Sequence, residues 1–212
     1  MTTSGNGAAG ISYTQELCRK LIHLSSLWMV AAMALLPRWP LAVFFGSCFV
    51  LNVLLERAYV VRMPVLTGLY RFFFGRMLRR APEPDQWIVS GGPYVWAAAA
   101  MALALFPSAI AATALAVMLL ADTAAALIGR RWGRHKTVNG KSWEGVAAFV
   151  VTGWLVMAAA AILSGWPWTA WPAGILGVAV AAGAELFEKQ IRVDDNFSIP
   201  LVVGGFLWLA QV

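Results

Sequence analysis

The chain predicts an all-α, polytopic membrane protein of about seven transmembrane helices, with its N-terminus in the cytoplasm. Three observations carry that expectation. The 212 residues are 60% hydrophobic and only 12% charged, where a soluble domain is about half apolar and a quarter charged. The apolar residues fall into runs near the roughly 20 residues a bilayer crossing requires. The basic residues sort almost completely to alternate loops.

Taken in order, residues 1–15 are Gly/Ser/Thr-rich and uncharged, which predicts a disordered tail ahead of a single membrane-embedded domain over 16–212. Arg19 and Lys20 before an apolar run imitate a secretory signal. The positives come late, however, Glu16 and His23 flank them, and no small-x-small cleavage site follows. Spans are expected at 20–36, 40–56, 92–106, 108–128, 145–163, 171–187 and 198–211. Phe106-Pro107-Ser108 and Ser164-Gly165-Trp166-Pro167 read as tight turns. The short runs imply tilt or local thinning of the bilayer. Cys18 and Cys48 sit in or beside apolar segments and form neither a disulfide framework nor a metal knuckle.

With the N-terminus inside, all of the 16 Lys and Arg residues except Arg38 fall on the cytoplasmic side, a strong positive-inside bias. The ten acidic residues gather at the same face. The net charge of +6 is thereby explained by topology, and no nucleic-acid partner is expected. In the second loop, 57–86, "RMPVLTGLYRFFFGRMLRR" alternates arginines with bulky apolar residues and predicts an interfacial amphipathic helix near anionic headgroups. The plainer reading is a snorkelling juxtamembrane linker, and the functional one is a gate or guide for a lipid substrate.

Three polar constellations reach this face. The fourth span carries Asp122, sharing a helical face with Ala125, Ala126 and Gly129. A carboxylate inside a span is costly and marks a functional site by default. Beyond it, Gly129, Arg130, Gly133, Arg134, Lys136, Lys141, Ser142, Glu144 and Gly145 form a basic, glycine-studded stretch. Glycines free backbone amides for an anion, and Arg and Lys supply charge. Ser142 is a candidate N-cap with Glu144 in the first turn, and a helix start is itself an anion site. It is not a Walker loop, because Gly140-Lys141-Ser142 lacks the upstream glycine. The second constellation is Glu185 with Asp194-Asp195-Asn196, hard oxygen ligands and a candidate base. The third is Glu16, Arg19, Lys20 and His23, spaced to stack on one helical face. A topology signal, Asx caps and a structural histidine are the plainer readings of these groups.

The pattern Asp122-x-x-Ala125-x-x-x-Gly129-x-x-x-Gly133-x-x-Lys136, followed by Lys141-Ser142-x-Glu144-Gly145, resembles the CTP-dependent lipid-alcohol kinases, the family of dolichol kinase, phytol kinase and the yeast-type CTP-dependent diacylglycerol kinase. Glu16-x-x-Arg19-Lys20-x-x-His23 and Asp194-Asp195-Asn196-x-x-x-Pro200 are similar to the family's N- and C-terminal motifs. Gly91-Gly92-Pro93-Tyr94 sits where relatives carry a similar Gly/Tyr element. The resemblance runs from about residue 16 to 205. Relatives usually have Gly-Asp where this chain has Ala121-Asp122, and larger members carry extra N-terminal spans.

The resemblance implies transfer of the γ-phosphate of CTP to a membrane lipid alcohol, with Mg²⁺ or another divalent cation. Asp122, Asp194, Asp195 and Asn196 are the implied metal ligands. Asp122, Asp195, Lys136, Lys141 and His23 are the implied catalytic residues. The 129–145 stretch is the implied nucleotide cradle, and Glu16, Arg19, Lys20 and Glu185 wall the site. The expected setting is a bacterial-type inner membrane with the site facing the cytoplasm, and a homodimer is left open. The related phosphatidate cytidylyltransferases share the glycine–lysine block, but their Lys-Asp step and His-Gly-Gly-x-x-Asp-Arg-x-Asp element are missing here. A small transporter or lipid-binding protein is the non-enzyme alternative. Such proteins tend to place polar groups at midplane on broken helices in repeated halves, which this chain lacks.

Overall fold

The computed structural model describes residues 13–68, 89–137 and 139–210. The described chain is all-helical. Its elements are α1 (Tyr13–Ser25), α2 (Leu27–Leu35), α3 (Arg38–Val60), α4 (Gly91–Leu105), α5 (Ser108–Trp132), α6 (Trp143–Ser164), α7 (Ala170–Leu186), the one-turn α8 (Glu188–Ile191) and α9 (Asp195–Leu209). α3, α5 and α6 are long and apolar enough to cross a membrane, and α4, α7 and α9 are shorter apolar helices. Most of the expected amphipathic segment of the second loop lies outside the described residues, although 64–68 are helical.

The run expected as one span at 20–36 is two helices. The Ser25 hydroxyl donates to the Ile22 carbonyl at 2.6 Å, and the Ser26 N–H reaches back only to the His23 carbonyl at 3.1 Å. Serines that bond nearby carbonyls compete with the helical ladder and bend it. The polar α1 is thereby set apart from the apolar α2.

α5 is the axle of the bundle. It is enclosed along most of its length, with α1, α2, α4, α6 and α9 packed on it. Its inward residues are small where neighbours come closest, as at Ala111, Ala114, Ala121 and Ala125, which lets backbones approach. Trp28, Phe45 and Trp96 form a cluster of edge-to-face and tilted rings with centroids 5.8–6.0 Å apart. Many large apolar side chains point outward instead, including Leu35 at 81% exposure and Leu163 at 87%. A water-facing surface would not carry them, whereas lipid solvates them.

Among the described residues, one end of the bundle is nearly free of charge and closes with short connections. Its one basic residue there, Arg38, donates to the carbonyls of Leu103 and, at 2.9 Å, of Ala104. It satisfies the open C-terminal carbonyls of α4, which accounts for the one exception to the charge bias. The opposite end collects the start of α1, α4, α6 and α9 and the finish of α3, α5 and α7, and with them the polar residues.

Candidate functional site

The site is built on Asp122. α5 continues to Trp132, so the carboxylate sits about 15 Å along the axis from the helix end, at a rise of about 1.5 Å per residue. It is 6% exposed. α1 supplies its partners: Lys20 Nζ donates to Asp122 Oδ2, and His23 Nε2 lies 3.4 Å from the same oxygen. Lys20 is itself only 4% exposed, so each buried charge neutralises the other. The spacing that stacks Lys20 and His23 also turns Glu16 toward the end of α5. There Glu16, 1% exposed, binds Arg19 at 2.6 Å and Arg130 at 3.2 Å.

A second lysine enters from the loop before α6. Lys141 Nζ donates to the Glu185 carboxylate at 2.8 Å and to the Glu185 carbonyl at 2.6 Å. It also lies 3.6 Å from Glu188 and 3.7 Å from Asp195. Burial works against its ammonium, but the Glu185 carboxylate, with those of Asp195 and Glu188, outweighs burial and raises the Lys141 pKa. Lys141 therefore remains charged well above neutrality. The hairpin that carries it is anchored by Asn139, which donates to the Leu186 carbonyl at 2.6 Å and exchanges amide hydrogen bonds with Gln190 at 2.8 and 3.0 Å.

Carboxylate oxygens of Asp122, Glu185 and Asp195 lie within 4.8 Å of one another, and those of Glu188, Asp194 and Asp195 do so as well. The first group adds Glu185 to the expected Asp122 and Asp195, and the second sets the expected Asp194 and Asp195 beside Glu188. The Asn196 N–H and side-chain amide donate to Asp194 Oδ1 at 3.0 and 2.8 Å, so this pair caps α9. Burial pushes the Asp194 carboxyl above its ordinary value, against the pull of these bonds. Glu185 Oε2 is buried with no hydrogen-bond partner among the described residues. Three oxygens of this hardness, one of them orphaned, fit a divalent cation such as Mg²⁺.

Much of the glycine stretch is helical or packed closely between helices. Gly129, Arg130, Arg131 and Trp132 are helical, so their amides serve the α5 ladder. The loop begins at Gly133. A Cβ on Gly145 would stand 2.9 Å from the Ala125 carbonyl oxygen, and one on Gly129 would stand 3.0 Å from Ser142 Oγ and 3.4 Å from the Gly145 Cα. These glycines let α5 and α6 touch backbone to backbone. Gly133 is equally tight, since a Cβ there would lie 2.5 Å from Ser142 Oγ. Ser142 is the N-cap expected from sequence, its hydroxyl accepting from the Gly145 N–H at 3.2 Å. Gly145→Ala is expected to force the helices apart and lower stability by about 1–3 kcal/mol, measurable as a fall in the thermal unfolding midpoint. Glu144 holds the loop, lying 2.7 Å from His135 Nδ1 and accepting the His135 N–H at 3.2 Å. Arg134 and Lys136 are exposed.

Sequence reasoning missed Glu56. It is 4% exposed near the end of α3 and accepts from the Ser90 N–H at 2.9 Å and the Ser90 hydroxyl at 3.2 Å. The available signal was a carboxylate closing an apolar run.

No family model matches the chain, and no solved structure matches it. Two curated proteins are similar along nearly their whole length. One is an uncharacterised protein of Rickettsia prowazekii, 24% identical over 88% of this chain and 90% of its own. The other is a phytol kinase of Synechocystis, 27% identical over 92% of this chain and 82% of its own. The similarity to the phytol kinase supports membership of the lipid-alcohol kinase family. The residues behind the resemblance, spread from Glu16 to Asn196, converge on one end of the helical bundle. The similarity to a phytol kinase and the outward-facing apolar helices agree in pointing to a membrane protein.

Proposed function

We propose that the chain transfers the γ-phosphoryl group of CTP to the hydroxyl of a membrane lipid alcohol, a polyprenol, a phytol-like alcohol or diacylglycerol, at the cytoplasmic face. The observation that carries this reading is the buried cluster of Asp122, Glu185 and Asp195 with Lys20 and Lys141 against it. Buried charge in an apolar bundle is expensive unless it is used. This set has the composition phosphoryl transfer calls for: carboxylates for a divalent cation and ammonium groups for phosphate. The phytol kinase relative supports the class of acceptor.

In this reading α1 and α2 form the first of seven spans, with the N-terminus inside. Asp122, Glu185 and Asp195 would hold Mg²⁺, which would supply positive charge to offset that of the triphosphate. Lys141, Lys20 and Arg130 face the triphosphate, and Arg134 and Lys136 draw it in from solvent. Asp195 accepts the proton of the lipid hydroxyl as its oxygen bonds to the γ-phosphorus. The bond from that phosphorus to the β-phosphate oxygen breaks, and CDP departs. The protein's share is positioning and charge neutralisation.

Nucleotide-induced thermal shift tests this cheaply. CTP with Mg²⁺ is expected to raise the unfolding midpoint of the detergent-solubilised protein, and ATP with Mg²⁺ is not. An equal response to both nucleotides would remove CTP from the proposal. No response to either would remove the nucleotide site.

A further inference from the structure

We infer that Glu56 is a positioning residue for the Asp194–Asn196 corner of the site, acting through Ser90 and Gly91. The inference rests on the kinase reading for its catalytic consequence and on geometry alone for its structural one. Ser90 occupies the N-cap of α4, where a serine hydroxyl ordinarily accepts a hydrogen bond from the first turn. Here it makes no cap bond. Both its N–H and its hydroxyl are donated to the buried Glu56 carboxylate. A charge-assisted pair of this kind fixes the backbone of Ser90 more firmly than a neutral cap does.

The next residue translates this into the site. A Cβ on Gly91 would stand 3.1 Å from Asn196 Nδ2 and 3.7 Å from Asp194 Oδ2. The start of α4 is therefore in contact with the carboxylate–amide pair that caps α9. Tyr94, one turn on, packs edge-to-face on Phe197 with centroids 6.5 Å apart. The chain Glu56–Ser90–Gly91–Asn196–Asp194 thus links α3, α4 and the start of α9, and Asp195 is the next residue along. With Glu56 in place, Asp195 is held toward Asp122 and Glu185. Without it, Ser90 reverts to an ordinary cap, Gly91 shifts and the corner loosens.

The test compares Glu56→Gln, Glu56→Leu and Gly91→Ala in lipid nanodiscs. Glutamine keeps an acceptor for the Ser90 N–H and a partner for the hydroxyl, whereas leucine removes both. The activity-independent readout is hydrogen exchange at the Asn196, Phe197 and Ser198 amides, which bond to Asp194 in the native cap. Exchange there is expected to rise at least tenfold in Glu56→Leu and Gly91→Ala and to stay within threefold of wild type in Glu56→Gln. The kinetic readout is kcat for phosphoryl transfer from CTP, expected to fall at least tenfold in Glu56→Leu with KM for CTP within twofold, and to recover in Glu56→Gln. Unchanged exchange at the corner in Glu56→Leu overturns the inference, as does Glu56→Gln behaving like Glu56→Leu. Should Glu56→Leu fail to fold, Gly91→Ala and Ser90→Ala carry the exchange measurement with the same expected rise. If the wild-type protein transfers no phosphate while exchange responds as stated, the kinase reading fails and the positioning role stands.

Discussion

Asp122→Asn is expected to lower the rate of phosphoryl transfer from CTP by at least about 100-fold while leaving the protein folded, the scale of loss when a preorganised electrostatic group is removed. Asparagine keeps the volume and still accepts a hydrogen bond from Lys20, so the change isolates the charge. The pair has a separate structural role. Lys20→Met alone would strand a buried carboxylate, and Asp122→Leu alone a buried ammonium, each costing about 3–5 kcal/mol. The double variant Lys20→Met/Asp122→Leu should regain most of that stability, because a well-packed apolar pair can replace a buried ion pair without net loss. It should remain inactive. Unfolding midpoints and initial rates on the same four proteins separate the two roles. An Asp122→Asn protein of near wild-type rate would place the chemistry elsewhere.

The second large effect is expected at Lys141. Its ammonium meets Glu185, Glu188 and Asp195, so Lys141→Met leaves several carboxylates facing one another with less positive charge between them. Phosphoryl transfer should fall by at least about 100-fold, and the unfolding midpoint should drop. Adding Glu185→Gln should restore much of the midpoint and none of the rate, because the orphaned Glu185 oxygen is proposed to bind the cation. Recovery of rate in the double variant would show Lys141 to be a neutralising residue only and Glu185 dispensable.

Much of this architecture is legible in the amino-acid sequence, for a physical reason. In an apolar chain each charge must be placed deliberately, so Asp122, Lys20, Lys141 and Asp195 stand out against their surroundings. Helix positions follow from the apolar runs, and the central helix is the one with the most alanine. What stays hidden depends on packing between distant segments. Glu185 joins Asp122 only because the end of α7 comes beside the middle of α5, which no spacing along the chain encodes. Gly129 looks like the start of a loop, since glycine and arginine ordinarily end a helix. Contact with Gly145 carries the helix on to Trp132 instead. Glu56 is inconspicuous because a carboxylate at the end of a span is ordinary in sequence, and its burial against Ser90 is a tertiary fact. Arg38 breaks the charge bias, and only the open carbonyls of α4 explain why it is there.

The measurement that tests the account most directly supplies CTP labelled at the γ-phosphate, with Mg²⁺, to the purified protein in nanodiscs containing phytol, a polyprenol or diacylglycerol, followed by mass analysis of the lipid product. The account predicts a labelled lipid monophosphate and CDP from at least one alcohol, and none from the Asp122→Asn protein. A cytidine diphosphate-linked lipid with release of pyrophosphate, or no lipid product from any of the three alcohols, would contradict it.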